Sequence, residues 1–233
     1  MQLFFVTTIT DNVAYLSPEE CTHCVRVLRH KVGDILTLID GKGGFYKGKL
    51  ITAEPKKCAL EIVETILGYE KRKQNLHIAI APTKNMDRLE WFVEKVVEIG
   101  VEEITFIATN RTERSIVKIE RLEKIAMSAA KQSVKAYLPK INQLNKFKDF
   151  IKKDFNGNKF IAHLANDNRK SFKDEISKAD SNLILIGPEG DFTVQEIEAA
   201  LKANFIPVTL GESRLRTETA AMYACAVAAV VKE

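Results

Sequence analysis

The alternation of apolar and polar residues along the 233-residue chain changes rhythm once, near residue 70. Before that point short apolar, β-branched runs predominate: Leu3 to Ile9, Ile35 to Ile39, Phe45 to Thr52 and Cys58 to Leu67. Runs of this length at close spacing predict a small β-barrel. One helix interrupts them, over about Pro18 to Arg29. Ser17-Pro18-Glu19-Glu20 offers an N-cap, a first-turn proline and a reciprocal glutamate, and Cys21, Cys24, Val25 and Leu28 share one face. The polar cluster Gly68-Tyr69-Glu70-Lys71-Arg72-Lys73-Gln74-Asn75 reads as a linker, which gives expected domains of residues 1–70 and 71–233.

From residue 76 strands and helices alternate. Leu76 to Ala81, Ile104 to Ala108, Phe160 to Leu164, Leu183 to Ile186 and Ile206 to Leu210 are the predicted strands. The predicted helices are Met86 to Ile99, stopped by Gly100, then Ile119 to Ala136, and one opened by the capping box Thr193-Val194-Gln195-Glu196 that runs to about Ala203. The last runs from Thr217 to Val231. Such alternation predicts an α/β domain with a parallel sheet.

Composition, 45% hydrophobic and 28% charged, is that of an ordinary globular chain and changes little. The charge distribution changes more. A net charge of +4 conceals −1 over residues 1–70, +8 over 71–180 and −3 over 181–233. Residues 111–153 alone hold 12 basic and 4 acidic groups. A surplus this local suits a polyanion partner, or else a solvated lysine face. Met1 to Thr8 lacks the basic leader and long apolar core of a secretion signal, and the longest apolar run, Ala220 to Val231, is 12 residues. A bilayer span needs roughly 20. A cytoplasmic protein with no membrane partner is expected. Cys21-Thr22-His23-Cys24 lacks a second pair at zinc spacing, so buried thiols and no metal are expected.

Candidate chemistry lies beyond the carboxyl ends of the later strands, where open α/β sheets bind ligands. Three loops stand there: His163-Leu164-Ala165, Gly187-Pro188-Glu189-Gly190-Asp191-Phe192, and Gly211-Glu212-Ser213-Arg214-Leu215-Arg216-Thr217-Glu218-Thr219. None fits a dinucleotide or Walker phosphate motif. Leu183-Ile184-Leu185-Ile186-Gly187-Pro188-Glu189-Gly190, followed by Leu210-Gly211 and Leu215-Arg216-Thr217-Glu218-Thr219-Ala220, resembles the C-terminal signature of the trefoil-knot SPOUT RNA methyltransferases. Within them the chain is most similar to the RsmE family, which methylates a uridine of 16S ribosomal RNA at ring nitrogen 3.

The likeness extends over nearly the whole chain. Phe4-Phe5-Val6, His23 with Val27-Leu28-Arg29, and Asp40-Gly41-Lys42-Gly43 resemble that family's PUA-like barrel. Glu94 to Val101, Thr112-Glu113-Arg114-Ser115 and Ala129-Ala130-Lys131-Gln132-Ser133 resemble its middle segment. Departures are Asp191 where a second glycine is usual, Arg214 where an isoleucine-like residue is usual, and Lys135 where an arginine is usual.

The resemblance implies a PUA-like RNA-binding barrel, a knotted α/β SPOUT domain, S-adenosyl-L-methionine as cofactor, 16S rRNA of the small subunit as partner, and a homodimer. It places the cofactor against Leu164, Ile186, Gly187, Pro188, Glu189, Gly190, Leu210, Gly211, Leu215, Arg216 and Thr217. Arg29, Arg111, Arg114, Lys118, Arg121, Lys131, Gln132 and Lys135 are the expected RNA contacts. Uracil nitrogen 3 carries a proton at neutral pH, so Arg114 and Arg216 are candidates to stabilise an enolate, with Glu218 or Glu113 orienting them or taking the proton. Each of these has the alternative of a plain structural ion pair. His23 reads as barrel structure or RNA contact, and His163 as a neighbour of the cofactor loop. Two rival functions share these features: a noncatalytic RNA-binding assembly factor, and a SPOUT enzyme acting on transfer RNA or ribose oxygen. The C-terminal loops favour an enzyme over the first. The barrel and middle motifs favour ribosomal RNA over the second, by resemblance alone.

Overall fold

The first five strands close on themselves because each buries apolar side chains, and register shifts in their pairing let the longer ones bend. A computed structural model of the protein describes residues 2–165 and 168–231; Met1 of the leader reading and the last two residues of the expected second domain lie outside them. β1 (Leu3–Thr10), β2 (Val13–Leu16), β3 (Ile35–Ile39), β4 (Gly44–Glu54) and β5 (Lys57–Leu67) form a closed barrel in the order β1-β2-β5-β4-β3. β2 escapes the sequence reading because its hairpin turn, Asp11-Asn12, is not Asn-Gly. Both residues take positive φ, 48° and 64°, as a type I′ turn requires. The expected helix splits into α1 (Pro18–Thr22) and a π-helical turn, His23–Val27. Its capping box is half made. Ser17 Oγ accepts from Glu20 N at 3.2 Å, but the Glu20 carboxylate turns away to Lys131 Nζ at 2.6 Å.

Cys21, Cys24 and Cys58 are buried among Phe4, Leu38, Leu50 and Leu60. Desolvation pushes the Cys58 thiol up to about 12 and raises Cys24, so both are protonated packing groups.

The chain divides into two compact units. The first joins residues 1–71 with 127–138, and the second joins 72–126 with 139–233. In the first unit Phe45 and Tyr69 stack with ring centroids 4.2 Å apart, so Tyr69 of the expected linker is packed.

The second unit carries a seven-stranded, wholly parallel sheet in the order β10-β12-β9-β11-β6-β7-β8. Its strands are β6 (Asn75–Ile80), β7 (Glu103–Ala108), β8 (Lys140–Lys146), β9 (Asn158–Ala162), β10 (Lys170–Ser171), β11 (Ser181–Ile186) and β12 (Ile206–Thr209). The helices that follow the barrel in the chain are α2 (Met86–Ile99), α3 (Ile119–Gln132, whose residues from 127 on belong to the first unit), α4 (Phe147–Phe150), α5 (Phe172–Ile176), α6 (Val194–Lys202) and α7 (Thr217–Val231). β6 and β11 are apolar runs because both their faces are covered, as parallel strands require.

Two expectations need correction. The helix predicted to reach Ala136 stops at Gln132, because Val134 takes φ 59° and Lys135 N bonds back to Ala130 O at 2.9 Å. That is a Schellman stop without its usual glycine, so no residue type announced it. The strand predicted to reach Leu164 ends at Ala162, which releases His163 and Leu164 into a loop.

Candidate active site

The loops after β9, β11 and β12 leave the sheet at its carboxyl edge, and each is tied to another by a named bond. β11 ends in Ile186, after which Gly187 turns the chain. A Cβ there would meet the Phe192 ring at 3.1 Å. Thr217, buried at the start of α7, donates through Oγ1 to Gly187 O at 3.0 Å and so joins the third loop to the second. Asp191 Oδ2 accepts from Leu164 N at 2.8 Å and joins the second loop to the first. In the third loop, Gly211 needs φ 121°, a conformation costly for any L side chain, and a Cβ there would stand in open space.

Between them lies a cavity of about 310 Å³. Its lining takes in ten of the expected cofactor residues: Leu164, Ile186, Gly187, Pro188, Glu189, Leu210, Gly211, Leu215, Arg216 and Thr217. Gly190 is not among the residues that line it. Its carbonyl accepts from Arg111 Nη1, and a Cβ would meet Arg111 Cδ at 3.2 Å. Asp191 takes the place on the wall, at φ 61°. Aspartate tolerates this left-handed region better than most residues, which is how it replaces glycine here. The sequence reading missed Ala162, Arg169, Val208, Ser213 and Ala220 as wall residues, since nothing in their local pattern marks them. His163 lines the cavity and is 4% exposed.

The expected catalytic groups are placed apart. Arg216 lines the cavity. Arg114, on the loop after β7, donates from Nε to Thr83 O at 3.1 Å and from Nη2 to Lys84 O at 2.5 Å, and is not on the cavity wall. Glu113 bonds Lys84 Nζ at 2.9 Å, which holds that lysine above its usual pKa. Lys84 N in turn donates to Glu189 Oε1 at 3.2 Å. Glu218 is buried, 3.7 Å from Arg88 Nε, and does not line the cavity. Among the described residues these two carboxylates meet Lys84 and Arg88 rather than Arg114 or Arg216.

The expected RNA contacts divide between the two units. In the second, Arg121 pairs with Glu90 at 2.6 Å, while Lys118 is exposed with no side-chain partner among the described residues. In the first, Lys131 is spent on Glu20, and Lys135 lies 3.8 Å from Glu70. Arg29 and Gln132 are exposed, Arg29 at φ 60°. No cluster of metal-ligating side chains occurs among the described residues.

The cavity suits a compact, partly flat ligand. Its size falls at the lower end of small-molecule sites, about 300–1,000 Å³. Its wall combines Gly187, Leu210 and Gly211 with the apolar residues Leu164, Ile186, Val208 and Leu215.

Residues 70–229 match the model of an RNA methyltransferase domain, and residues 16–63 that of an RNA methyltransferase PUA domain. A ribosomal RNA small subunit methyltransferase E of Mesomycoplasma hyopneumoniae is 32% identical over 96% of each chain. Among solved structures, a probable rRNA-methyltransferase from Porphyromonas gingivalis superposes with TM-score 0.90 at 41% identity, covering 100% of this chain and 98% of that one. The ribosomal RNA small subunit methyltransferase E of Neisseria gonorrhoeae, solved bound to S-adenosyl methionine, gives 0.84 at 27% identity, over 97% and 95%. With a barrel before a parallel sheet, and a ligand-sized cavity at that sheet's carboxyl edge, the chain belongs to the RNA methyltransferase family that includes the ribosomal RNA small subunit methyltransferase E enzymes.

Proposed function

We propose that the protein methylates ring nitrogen 3 of one uridine in 16S ribosomal RNA of the small subunit, using S-adenosylmethionine, in the cytoplasm. The observation that carries this is the cavity built by the loops after β9, β11 and β12, in a chain whose relative was solved with that cofactor. The cofactor would be held by the backbone of Gly187, Leu210 and Gly211 and by Leu164, Ile186 and Leu215, and its sulfonium supplies an activated methyl group. Residues 1–70 act as the RNA-binding domain and 71–233 as the methyltransferase domain. β12 lies between β9 and β10, which are consecutive in the chain. That order supports the trefoil knot that the resemblance implies.

The chain's own task is to position the uracil and to ease loss of its nitrogen-bound proton. Arg216, on the cavity wall, stabilises negative charge on a flanking carbonyl oxygen. Arg114, fixed by two carbonyls of the β6–α2 loop, contacts the RNA from the rim.

Two copies associate through α7. Its inner face, Ala221, Ala224, Cys225 and Ala228, is buried on α2 and β6. Its outer face, with Met222, Tyr223, Ala226, Val227 and Val230, is apolar and incompletely covered.

The test is to incubate the purified protein and S-adenosylmethionine with small subunits from a strain lacking the gene, then map methyl groups by mass spectrometry. One 3-methyluridine in 16S RNA is the expected result. Methyl groups on ribose or on transfer RNA would overturn the proposal.

A further inference from the structure

The cavity's charged side chains are not used alike. Glu189 accepts from Lys84 N at 3.2 Å. Asp191 accepts from the backbone amides of Leu164 and Phe192, each at 2.8 Å. Arg169 donates to His163 O at 2.7 Å. Arg214 and Arg216 are exposed, and their guanidinium groups have no hydrogen-bond or ion-pair partner among the described residues, although Arg216 O accepts from Ala220 N at 2.7 Å. They stand two positions apart on the β12–α7 loop, with Leu215 half-buried between them. The wall's two carboxylates are thus satisfied locally, and the mouth is left with two uncompensated guanidinium groups.

We propose that Arg214 is an RNA-positioning residue, holding a backbone phosphate next to the target nucleotide while Arg216 faces the base. This rests on the functional reading above. An anion suits these two arginines, because a bound sulfonium adds a positive charge to a wall that already carries Arg169, Arg214 and Arg216 against Glu189 and Asp191. Two sources offer one, a phosphodiester of the RNA and the carboxylate of the cofactor. Exposure favours the phosphodiester. Small ligands in such sites bury 70–90% or more of their surface, so their charged tails are met inside the wall rather than at an exposed rim. A guanidinium also matches two phosphate oxygens at once, which anchors the strand in orientation as well as position.

The experiment compares wild type, Arg214→Ala and Arg214→Lys in three measurements. These are calorimetry with S-adenosylhomocysteine, equilibrium binding of 16S RNA against salt, and methylation kinetics on unmethylated small subunits. Arg214→Ala should raise KM for the subunits about tenfold and flatten the plot of log affinity against log salt by about one, with cofactor affinity within twofold. Arg214→Lys should restore the salt slope but only part of the KM, since it keeps the charge and loses the fork. If Arg214→Ala instead weakens S-adenosylhomocysteine and leaves the RNA slope intact, the anion is the cofactor's carboxylate and the proposal is overturned. If neither changes in an active enzyme, the side chain is only solvated and it falls as well. Wild-type protein that methylates no ribosomal RNA would instead defeat the functional reading, while the salt slope would still report on Arg214.

Discussion

Asp191 holds a left-handed backbone at φ 61° and compensates that strain with two hydrogen bonds, one to its own neighbour and one across to Leu164. Replacing it with glycine removes the strain and the tie together. Asp191→Gly should leave the melting temperature nearly unchanged and weaken S-adenosylhomocysteine about tenfold by calorimetry, because a hydrogen bond to a charged acceptor is worth about 1.5–3 kcal/mol. Unchanged affinity would mean that the Leu164 segment holds itself. Gly211→Ala acts the other way, forcing an L residue to φ 121°, and should cost at least tenfold in the same titration. Remote from the cavity, His77 is buried beside Thr105, with its Nε2 2.8 Å from Thr105 Oγ1. Burial is the main cause that pushes it down to about 4; Glu103 favours the charged ring, and Lys140 and Lys153 oppose it. An unfolded imidazole takes its proton near 6.5. The unfolded state therefore binds more protons between those values, and this contribution to stability is complete above about pH 6.5 and lost as pH falls toward 4. The loss should reach up to about 3 kcal/mol in denaturation midpoints. His77→Asn should flatten that slope, and an equal slope in the variant would remove His77 as its cause. The glycine at 211 is legible in the sequence as a turn. That Asp191 would stand on the wall while Gly190 turned to Arg111 is not, because a loop has no fixed periodicity and only the packed partner decides which residue faces in.

The elements whose ends carry their own chemistry match the sequence reading closely. The α6 capping box is complete, with Thr193 Oγ1 accepting from Glu196 N at 3.3 Å and Glu196 Oε2 accepting from Thr193 N at 2.9 Å. Thr193→Ala should lower stability by about 1 kcal/mol in urea unfolding. Glu196→Ala should cost more, about 2–3 kcal/mol, since Glu196 Oε1 also accepts from Asn110 N at 2.8 Å on the loop after β7. Equal losses would mean that the second bond contributes nothing. The bounds of α2 also match, with Gly100 at φ 118° stopping the helix as its position suggests, while at the other end Asn85, which the sequence reading did not single out, caps Asp87 N. β8 was not, because Lys140-Ile141-Asn142-Gln143-Leu144-Asn145-Lys146 is mostly polar. It forms because β7 offers an open edge, not because its own side chains demand a strand.

At the scale of the whole molecule, α7 is apolar nearly all round, yet one chain buries only its inner face. Sedimentation at low micromolar concentration should report twice the 26.2 kDa subunit mass. Tyr223→Glu, which puts a charge on the outer face, should shift that value toward one subunit. A dimer undisturbed by this change would place the interface elsewhere. Mixing Arg114→Ala subunits with cofactor-deficient Gly211→Ala subunits then tests whether Arg114 serves the neighbouring site. Recovered activity in hybrids is expected, and its absence from a mixed dimer would return Arg114 to its own subunit. The sequence by itself determined the strongly periodic elements and their order, the small barrel followed by a parallel sheet, and the three loops beyond that sheet's strands. Those follow from local periodicity, caps and glycines, which act over a few residues. Only the tertiary structure decided the strand order that sets β12 between β9 and β10, the pairing of Glu113 with Lys84 and of Glu218 with Arg88, and which arginines stay free at the cavity. Each of these depends on contacts between residues far apart in the sequence, and no local pattern encodes them.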